Sequence, residues 1–533
     1  MKTPYNFSIQ GYGIKGEPTI QSRDLLFSTI AEDSMTVSWT RGNGDYVLLL
    51  GHAGSAISSD PVDGSEYTGD NNFGDGNQIG TGNYVLYVGS AASPSVIVKG
   101  LTENTTYYYK AYEFNNTGTN TNYNINNGIT GNPGSQKTIG TTQWTGTTST
   151  SWYVSGNWDN GLPGQYMNAD VVDQTNEPVI SANRNIHDLT IYEDAALTIN
   201  AGYTLTVTDD LRIKASASGM GGIVLQDNSA NITVADSTIV ECYINNSPAY
   251  WHYASIPITS AKLNVFENYY AWGWNEATAS WSNLTNGLMD LTVCKGYSVK
   301  WGTGASPTVN FIGTLNKGTK SIAVANSNTG NDSYGWNLVG NPYAATIDWD
   351  AVSGWSRSNI DPTAYYLNGS TSSYGQYNYV TNTGLNGGTR YIAPTQGFFI
   401  HCDVASSTLQ MDNRVMVNYE QDFWKEGEKA VDDQKTLILH AFNTADSKYS
   451  DEIALIFLNK ASDIYERNYD AYKLLSSNIN IPQIYTILSD SLKMSMNAFS
   501  SLYDTISIPV YYTVGVSGTF RINTTQNTGF EGS

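Results

Sequence analysis

Charge is scarce in this chain of 533 residues: Asp, Glu, Lys and Arg together make up 14% of it, against roughly 25% in an average soluble protein. Basic residues are the scarcer half, 27 against 48 acids, for a formal charge of −21. Affinity for nucleic acid comes largely from Lys and Arg neutralising phosphates, so this balance excludes a phosphate-backbone partner and disfavours an anionic membrane surface. Cysteine is nearly absent. Cys242, Cys294 and Cys402 are too few and too scattered for a disulfide framework, although they leave room for one bridge, and no CxxC pair suggests zinc. Among five histidines no two stand at i, i+4, which excludes the zincin helix. There is no run of 18 apolar residues to span a membrane. GxSxG, HExxH and P-loop motifs are also missing, so no catalytic constellation is legible and no enzyme activity is expected.

Hydrophobic residues, at 40%, are sufficient for real cores. Polarity is carried by Asn, Thr, Ser, Gly and Tyr instead of by charge. Thr and Tyr suit a pleated surface, and Asn and Gly supply positive-φ turn positions, so the expected fold class is all-β. The length divides into about three or four domains. The boundaries expected are a leader over 1–21, a sandwich over 22–138, a repetitive solenoid-like segment over 139–245, an aromatic-rich sandwich over 246–418, and a further sandwich over 432–533.

In the first domain, Met35, Val37 and Trp39 alternate with polar residues, the period of a strand with one buried face. Further on, Tyr107, Tyr109 and Ala111 share a face, with Leu101 ahead of them. This segment resembles a fibronectin type III domain, in which Leu101, Thr105 and Tyr107 would form the tyrosine corner; Glu103 departs from the Pro usual there. Arg41-Gly42-Asn43 falls one residue short of RGD and reads as a tight turn. Asp60, Asp63, Asp70 and Asp75 lie in a Gly/Asn-rich loop, where carboxylates and carbonyls suit calcium; a solvated loop is the alternative. No other cofactor is expected.

The second segment repeats one phrase in "DLTIYEDAALTINAGYTLTV": Leu189-Thr190-Ile191, Leu197-Thr198-Ile199 and Leu205-Thr206-Val207. A unit of this length is one side of a parallel β-helix rung or one strand of a meander, and periodicity fits both. Its acids, Asp188, Glu193, Asp194, Asp209 and Asp210, fall in the turns between phrases, where Asp caps its own backbone. That placement reads as scaffold.

The third segment is dense in aromatics. "YYAWGWNEATASWSNL" carries Trp272 and sets Trp274 and Trp281 on either side of a polar turn, and "AYYLNGSTSSYGQYNYV" does the same with Tyr366 before the tip and Tyr374 and Tyr377 after it. Both read as β-hairpins with aromatic cross-strand pairs. Exposed rings of this kind stack on sugars, so these six residues are the candidate glycan-binding set.

"GWNLVGNPY" at 335–343 and "PTQGFF" at 394–399 resemble a module recurrent in large secreted proteins of Bacteroidetes. Asp451-Glu452-Ile453-Ala454, Tyr469-Asp470-Ala471-Tyr472-Lys473, Pro482-Gln483-Ile484-Tyr485 and Val514-Gly515-Val516-Ser517-Gly518 resemble the sandwich that precedes the export signal in type IX secretion cargo and gliding-motility surface proteins. The resemblance implies an extracellular or cell-surface protein handled by type IX machinery. The opening MKTPYNFSIQGYG lacks an apolar signal core, and the last residues follow an alternating strand, so a longer precursor with a leader and a sorting module is expected. The function expected is that of an adhesin-like, non-catalytic module binding glycans; an accessory region of a polysaccharide-degrading enzyme and a structural rod are the alternatives.

Overall fold

The alternating patterns do become strands. The computed structural model describes residues 13–530 except 128, 246, 248, 420–433, 489–491 and 501–504, so most of the opening stretch and the expected join at 432 lie outside the described residues. Strands and turns make up the described chain, with only 3₁₀ turns of three or four residues besides. The fold is all-β. Among the described residues no helix is long and apolar enough to cross a membrane.

The chain divides into two compact units, 1–142 with 163–169, and 143–162 with 170–533. In the first, Arg23–Ser28, Met35–Thr40 and Ser95–Val98 form one antiparallel sheet, while Asn83–Gly89, Tyr46–Ala53 and Thr106–Asn115 form the centre of another. Met35, Val37 and Trp39 face Tyr107, Tyr109 and Ala111 in one buried cluster. The Tyr107 hydroxyl accepts the Thr102 N–H at 2.8 Å, tying the turn to the strand that follows it.

Glu113, fully buried, organises the opposite end. Its carboxylate accepts from Arg41 Nε at 2.7 Å and Nη2 at 2.8 Å, from Ser22 Oγ at 2.5 Å, and from the N–H groups of Gly42 at 2.8 Å and Gly44 at 3.1 Å. Arg41-Gly42-Asn43 is thus an internal turn. Gly42 is required there, because a Cβ would sit 1.9 Å from the Ile20 carbonyl oxygen.

In the second unit the repeated phrase resolves as a solenoid. Val179–Ile180, Ala196–Ile199 and Gly222–Leu225 stack in parallel, as do Arg184–Ile186, Thr204–Val207 and Asn231–Val234, and then Leu189–Ile191, Leu211–Ile213 and Thr238–Tyr243. The three copies of the phrase therefore never pair with one another; each is a different side of the coil. Leu189, Ile191, Leu197, Ile199, Leu205 and Val207 are completely buried inside it, each worth about 1.5–3 kcal/mol of transfer free energy. The corner acids brace successive rungs: Asp188 Oδ1 accepts the Asp210 N–H, and Asp210 Oδ1 the Ser237 N–H, both at 3.0 Å. Trp144, Trp152 and Trp158 stack edge to face before the first rung, where the Trp152 N–H bonds the Val179 carbonyl at 3.2 Å.

The expected boundary near 246 does not separate compact bodies. Thr238–Tyr243, on the last rung, pairs antiparallel with Thr308–Ile312, and the Ile223 N–H bonds the Ala344 carbonyl at 2.7 Å. Beyond it, Trp251–Ala254, Tyr297–Lys300, Tyr270–Asn275 and Ser280–Leu284 make one sheet, and Trp336–Gly340, Gly397–His401, Thr363–Asn368, Ser373–Asn378 and Thr383–Leu385 another. Buried Asn341 locks the turn after Trp336–Gly340: its Nδ2 bonds the carbonyls of Ala345 at 2.8 Å and Ala393 at 2.9 Å, and its Oδ1 accepts the Tyr343 N–H at 2.9 Å.

The last sheet runs Tyr511–Thr513, Gln483–Ile487, Lys493–Phe499, Ser450–Phe457, Lys435–Asn443, Phe520–Thr528. Ile438, Ala454, Ile456 and Met496 on one of its faces pack against Leu385, so this segment too belongs to the same unit. Cys242, Cys294 and Cys402 are all buried and unbridged.

Removing the Glu113 carboxylate should leave Arg41 as a largely buried, uncompensated charge. Glu113→Ala is expected to destabilise the first unit by about 3–5 kcal/mol, read as accelerated hydrogen exchange of the amides of 106–115 with those of 196–213 unchanged.

Candidate functional site

Both hairpins form, but only the first carries an aromatic cross-strand pair; in the second Tyr366 stands opposite Gly375 and Tyr377 opposite Ala364, and most of the rings are used internally. Trp274 stands opposite Trp281, its Nε1 donates to the Trp336 carbonyl at 2.7 Å, and its ring meets Phe399 edge-on at 5.5 Å. Tyr374 shares a hydrogen bond of 3.0 Å with the Tyr253 hydroxyl. Tyr366 is 3% exposed and Tyr377 8%. Tyr377 donates to Asp350 Oδ2 at 3.2 Å or Asn382 Oδ1 at 2.9 Å. Neither of these two tyrosines offers a ring face to a sugar, because both rings are buried within the unit. Trp272 is half-buried, edge-on to Trp251 at 6.4 Å. The Lys300 ammonium sits above Trp251 at 4.8 Å and above Tyr270 at 5.6 Å.

A concavity lies elsewhere on the same unit. A cavity of about 270 Å³ opens between the solenoid loop holding Ser216 and Met220, the residues Tyr243, Asn245, Tyr250, His252 and Tyr253, the hairpin tip at 367–370, and Gln396. The tip keeps its shape because Asn368 Oδ1 accepts the N–H and the hydroxyl of Ser370, at 3.0 and 2.7 Å. Gly369 lets it approach, since a Cβ there would stand 2.5 Å from the Trp251 carbonyl oxygen.

Tyr243 and Tyr250, both half-buried, supply the aromatic wall, Tyr253 lines it as a buried ring packed edge-on to Phe399 at 5.5 Å, and Asn245, Ser370 and Gln396 give the neutral polar groups. None of the described lining residues is Asp, Glu, Lys or Arg. His252 Nε2 is buried with no hydrogen-bond partner among the described residues. Desolvation pushes its pKa down to about 4, so the ring is neutral. The cavity therefore combines apolar faces with uncharged donors and acceptors and carries no carboxylate pair for acid–base chemistry.

Tyr250 and His252 were not singled out by sequence pattern. Their only signal was the aromatic run Tyr250-Trp251-His252-Tyr253, which opens the strand Trp251–Ala254.

The four loop acids do not converge. Asp60 accepts from Lys110 Nζ at 2.7 Å and from the Tyr112 hydroxyl at 2.8 Å, Asp63 from the Tyr123 N–H at 2.8 Å, Asp70 from the Asn72 N–H at 2.8 Å, and Asp75 from Asn72 Nδ2 at 2.5 Å. Among the described residues the groupings able to hold a metal are His187, Asp188 and Asp209; Asp209, Asp210 and Asp236; and Asp361, His401 and Asp403. The first two are built on the solenoid corner, where Asp188 and Asp210 already bind backbone N–H groups.

The neutral His252 makes a pH prediction. Between about pH 6.5 and 4 the unfolded chain binds a proton at this position that the folded chain does not, so folding stability falls as pH falls through that window. Replacing the ring by an amide removes this contribution. The thermal midpoint of His252→Gln is therefore expected to rise relative to wild type as pH is lowered from 7 to 4; parallel midpoints across that range would show the assignment to be wrong.

No curated protein matches the sequence. The model of a domain of unknown function, DUF8693, matches residues 143–531. That span coincides closely with the second compact unit and covers about three quarters of the chain, which therefore belongs to this family.

Proposed function

We propose that this chain is a non-catalytic module of an extracellular or cell-surface protein and that its second unit binds a neutral glycan in the cavity lined by Tyr243, Tyr250, His252 and Tyr253. The observation that carries the reading is the uncharged, aromatic and amide-bearing lining. Sugar rings present apolar faces to aromatic planes and hydroxyls to neutral donors and acceptors, and they need no counter-ion. Trp272, beside Trp251 and Tyr270, is the one member of the hairpin set that keeps a place in this reading, as a second stacking surface.

The first unit is proposed to be fibronectin type III-like, supported by its two-sheet strand order and by the hydroxyl of Tyr107 bonding back to the turn before it. Export through type IX machinery belongs to the same proposal and is supported by the motifs at 335–343, 394–399 and 451–473.

The test is a neutral-glycan array together with pull-down on insoluble polysaccharides, comparing wild type with Tyr250→Ala and Trp272→Ala. Tyr250→Ala is expected to weaken binding about tenfold or more, equivalent to roughly 1.4 kcal/mol, and Trp272→Ala to weaken it less. Absence of binding by wild type, or binding indifferent to Tyr250, defeats the proposal.

A further inference from the structure

The grouping of Asp361, His401 and Asp403 differs from the solenoid acids in being buried, with Asp361 at 2% exposure and His401 at 3%. His401 ends the strand Gly397–His401, and Asp403 follows two residues later on the same side. The Asp361 N–H bonds the His401 carbonyl at 2.9 Å, which brings the third side chain alongside. His401 Nδ1 faces both carboxylates, 3.0 Å from Asp361 Oδ2 and 3.3 Å from Asp403 Oδ1.

Each carboxylate is also held from outside. The Tyr465 hydroxyl donates to Asp361 Oδ2 at 3.3 Å, and Arg467 Nη1 pairs with Asp403 Oδ2 at 3.1 Å. Such outer partners fix the orientation of ligating groups in metal sites. They leave Asp361 Oδ1 buried with no hydrogen-bond partner among the described residues. A buried carboxylate oxygen without a partner is costly, and a cation held between these side chains would relieve that cost.

We propose that Asp361, His401 and Asp403 bind one divalent transition-metal ion, with zinc the best match to the donors. One imidazole nitrogen and two carboxylates are ligands that zinc accepts, at about 2.0–2.2 Å each, and donors around a tetrahedral ion at that distance stand about 3.3–3.5 Å apart. The three ligand atoms here lie within 4.8 Å of one another. Calcium fits poorly, since it takes about 6–8 oxygens and no imidazole. The ion would fasten the strand end at His401 to the segment carrying Tyr465 and Arg467, so its role is to join the aromatic sandwich to the last sheet.

The experiment uses the whole chain, stripped with a chelator and dialysed. Zinc is titrated by calorimetry, bound metal is counted by mass spectrometry, and cobalt is added as a spectroscopic probe. Wild type is expected to take up zinc, to gain thermal stability with it, and to give visible cobalt absorption of a site with a nitrogen ligand. His401→Gln and Asp403→Asn should each lose one equivalent of zinc, with affinity at that position falling about 100-fold or more, whereas His187→Gln keeps it. No zinc uptake by wild type, or uptake lost in His187→Gln and retained in His401→Gln, overturns the proposal. Should the buried variants fail to fold, the wild-type cobalt spectrum decides: absence of the absorption overturns the site.

Discussion

A stack of parallel strands has two open ends, each exposing a row of unpaired backbone groups and a cross-section of apolar core. In the second unit that constraint governs everything built around it. At the first rung three tryptophans close the core, Trp144 and Trp152 with no exposure at all. At the last rung the chain pairs onward: Thr238–Tyr243 takes Thr308–Ile312 as its neighbour, and Ile223 bonds back to Ala344. Closing the solenoid in this way makes the aromatic sandwich its cap, which explains why one compact unit and one family domain extend across segments whose compositions differ so sharply.

The same closure produces the cavity. Sheets pack face to face about 10 Å apart and can be sealed by interdigitating rings, as Tyr253, Trp274, Trp281, Trp336 and Phe399 do. Where a solenoid loop, a connecting segment and a hairpin tip meet, no common lattice of side chains exists to fill the gap. Pockets form preferentially at such joints. Here the joint is lined by residues around 216–220, by Tyr243, Asn245, Tyr250 and His252, and by residues around 367–370 and 396, which are far apart in the chain. The aromatic content serves two ends: rings inside the sheets hold them together, and rings at the joint remain within reach of a ligand.

Strand identity was legible because period two is a local property. Met35, Val37 and Trp39 face the core as their alternation requires, as do Leu197, Ile199, Leu205 and Val207. Solenoid and meander were not separable, since both place an apolar residue at every second position and differ only in which strand is the neighbour. Leu189 pairs with Leu211, not with Leu197, and that choice is settled by closure of the rung. The glycan candidates Tyr366 and Tyr377 illustrate the same limit. Alternation shows that two rings share a face, but whether a ring such as Tyr366 meets Phe398 or solvent depends on a strand about thirty residues away. Tyr250 and His252 matter only because distant segments surround them, so no local pattern marks them.

The scarcity of charge is matched by where the charges sit. Arg41 with Glu113, Arg390 with Asp348, and Lys473 with Asp451 are ion pairs in which at least one partner is under 10% exposed. Such pairs recover little net energy beyond their desolvation, and their value lies in the penalty for any arrangement that separates them. Asp451 shows how this specifies the fold. Its Oδ1 takes Lys473 Nζ at 2.5 Å and Asn386 Nδ2 at 3.1 Å, while Oδ2 takes the Ile484 N–H at 2.8 Å, so one carboxylate indexes the residue after the strand Ala471–Tyr472, the turn after Leu385 and the start of Gln483–Ile487. A last sheet that slipped by one residue would leave that carboxylate buried without its partners. In a chain with so few charges to spare, the position of a single buried acid can thus set the register of a whole sheet against the sandwich beside it.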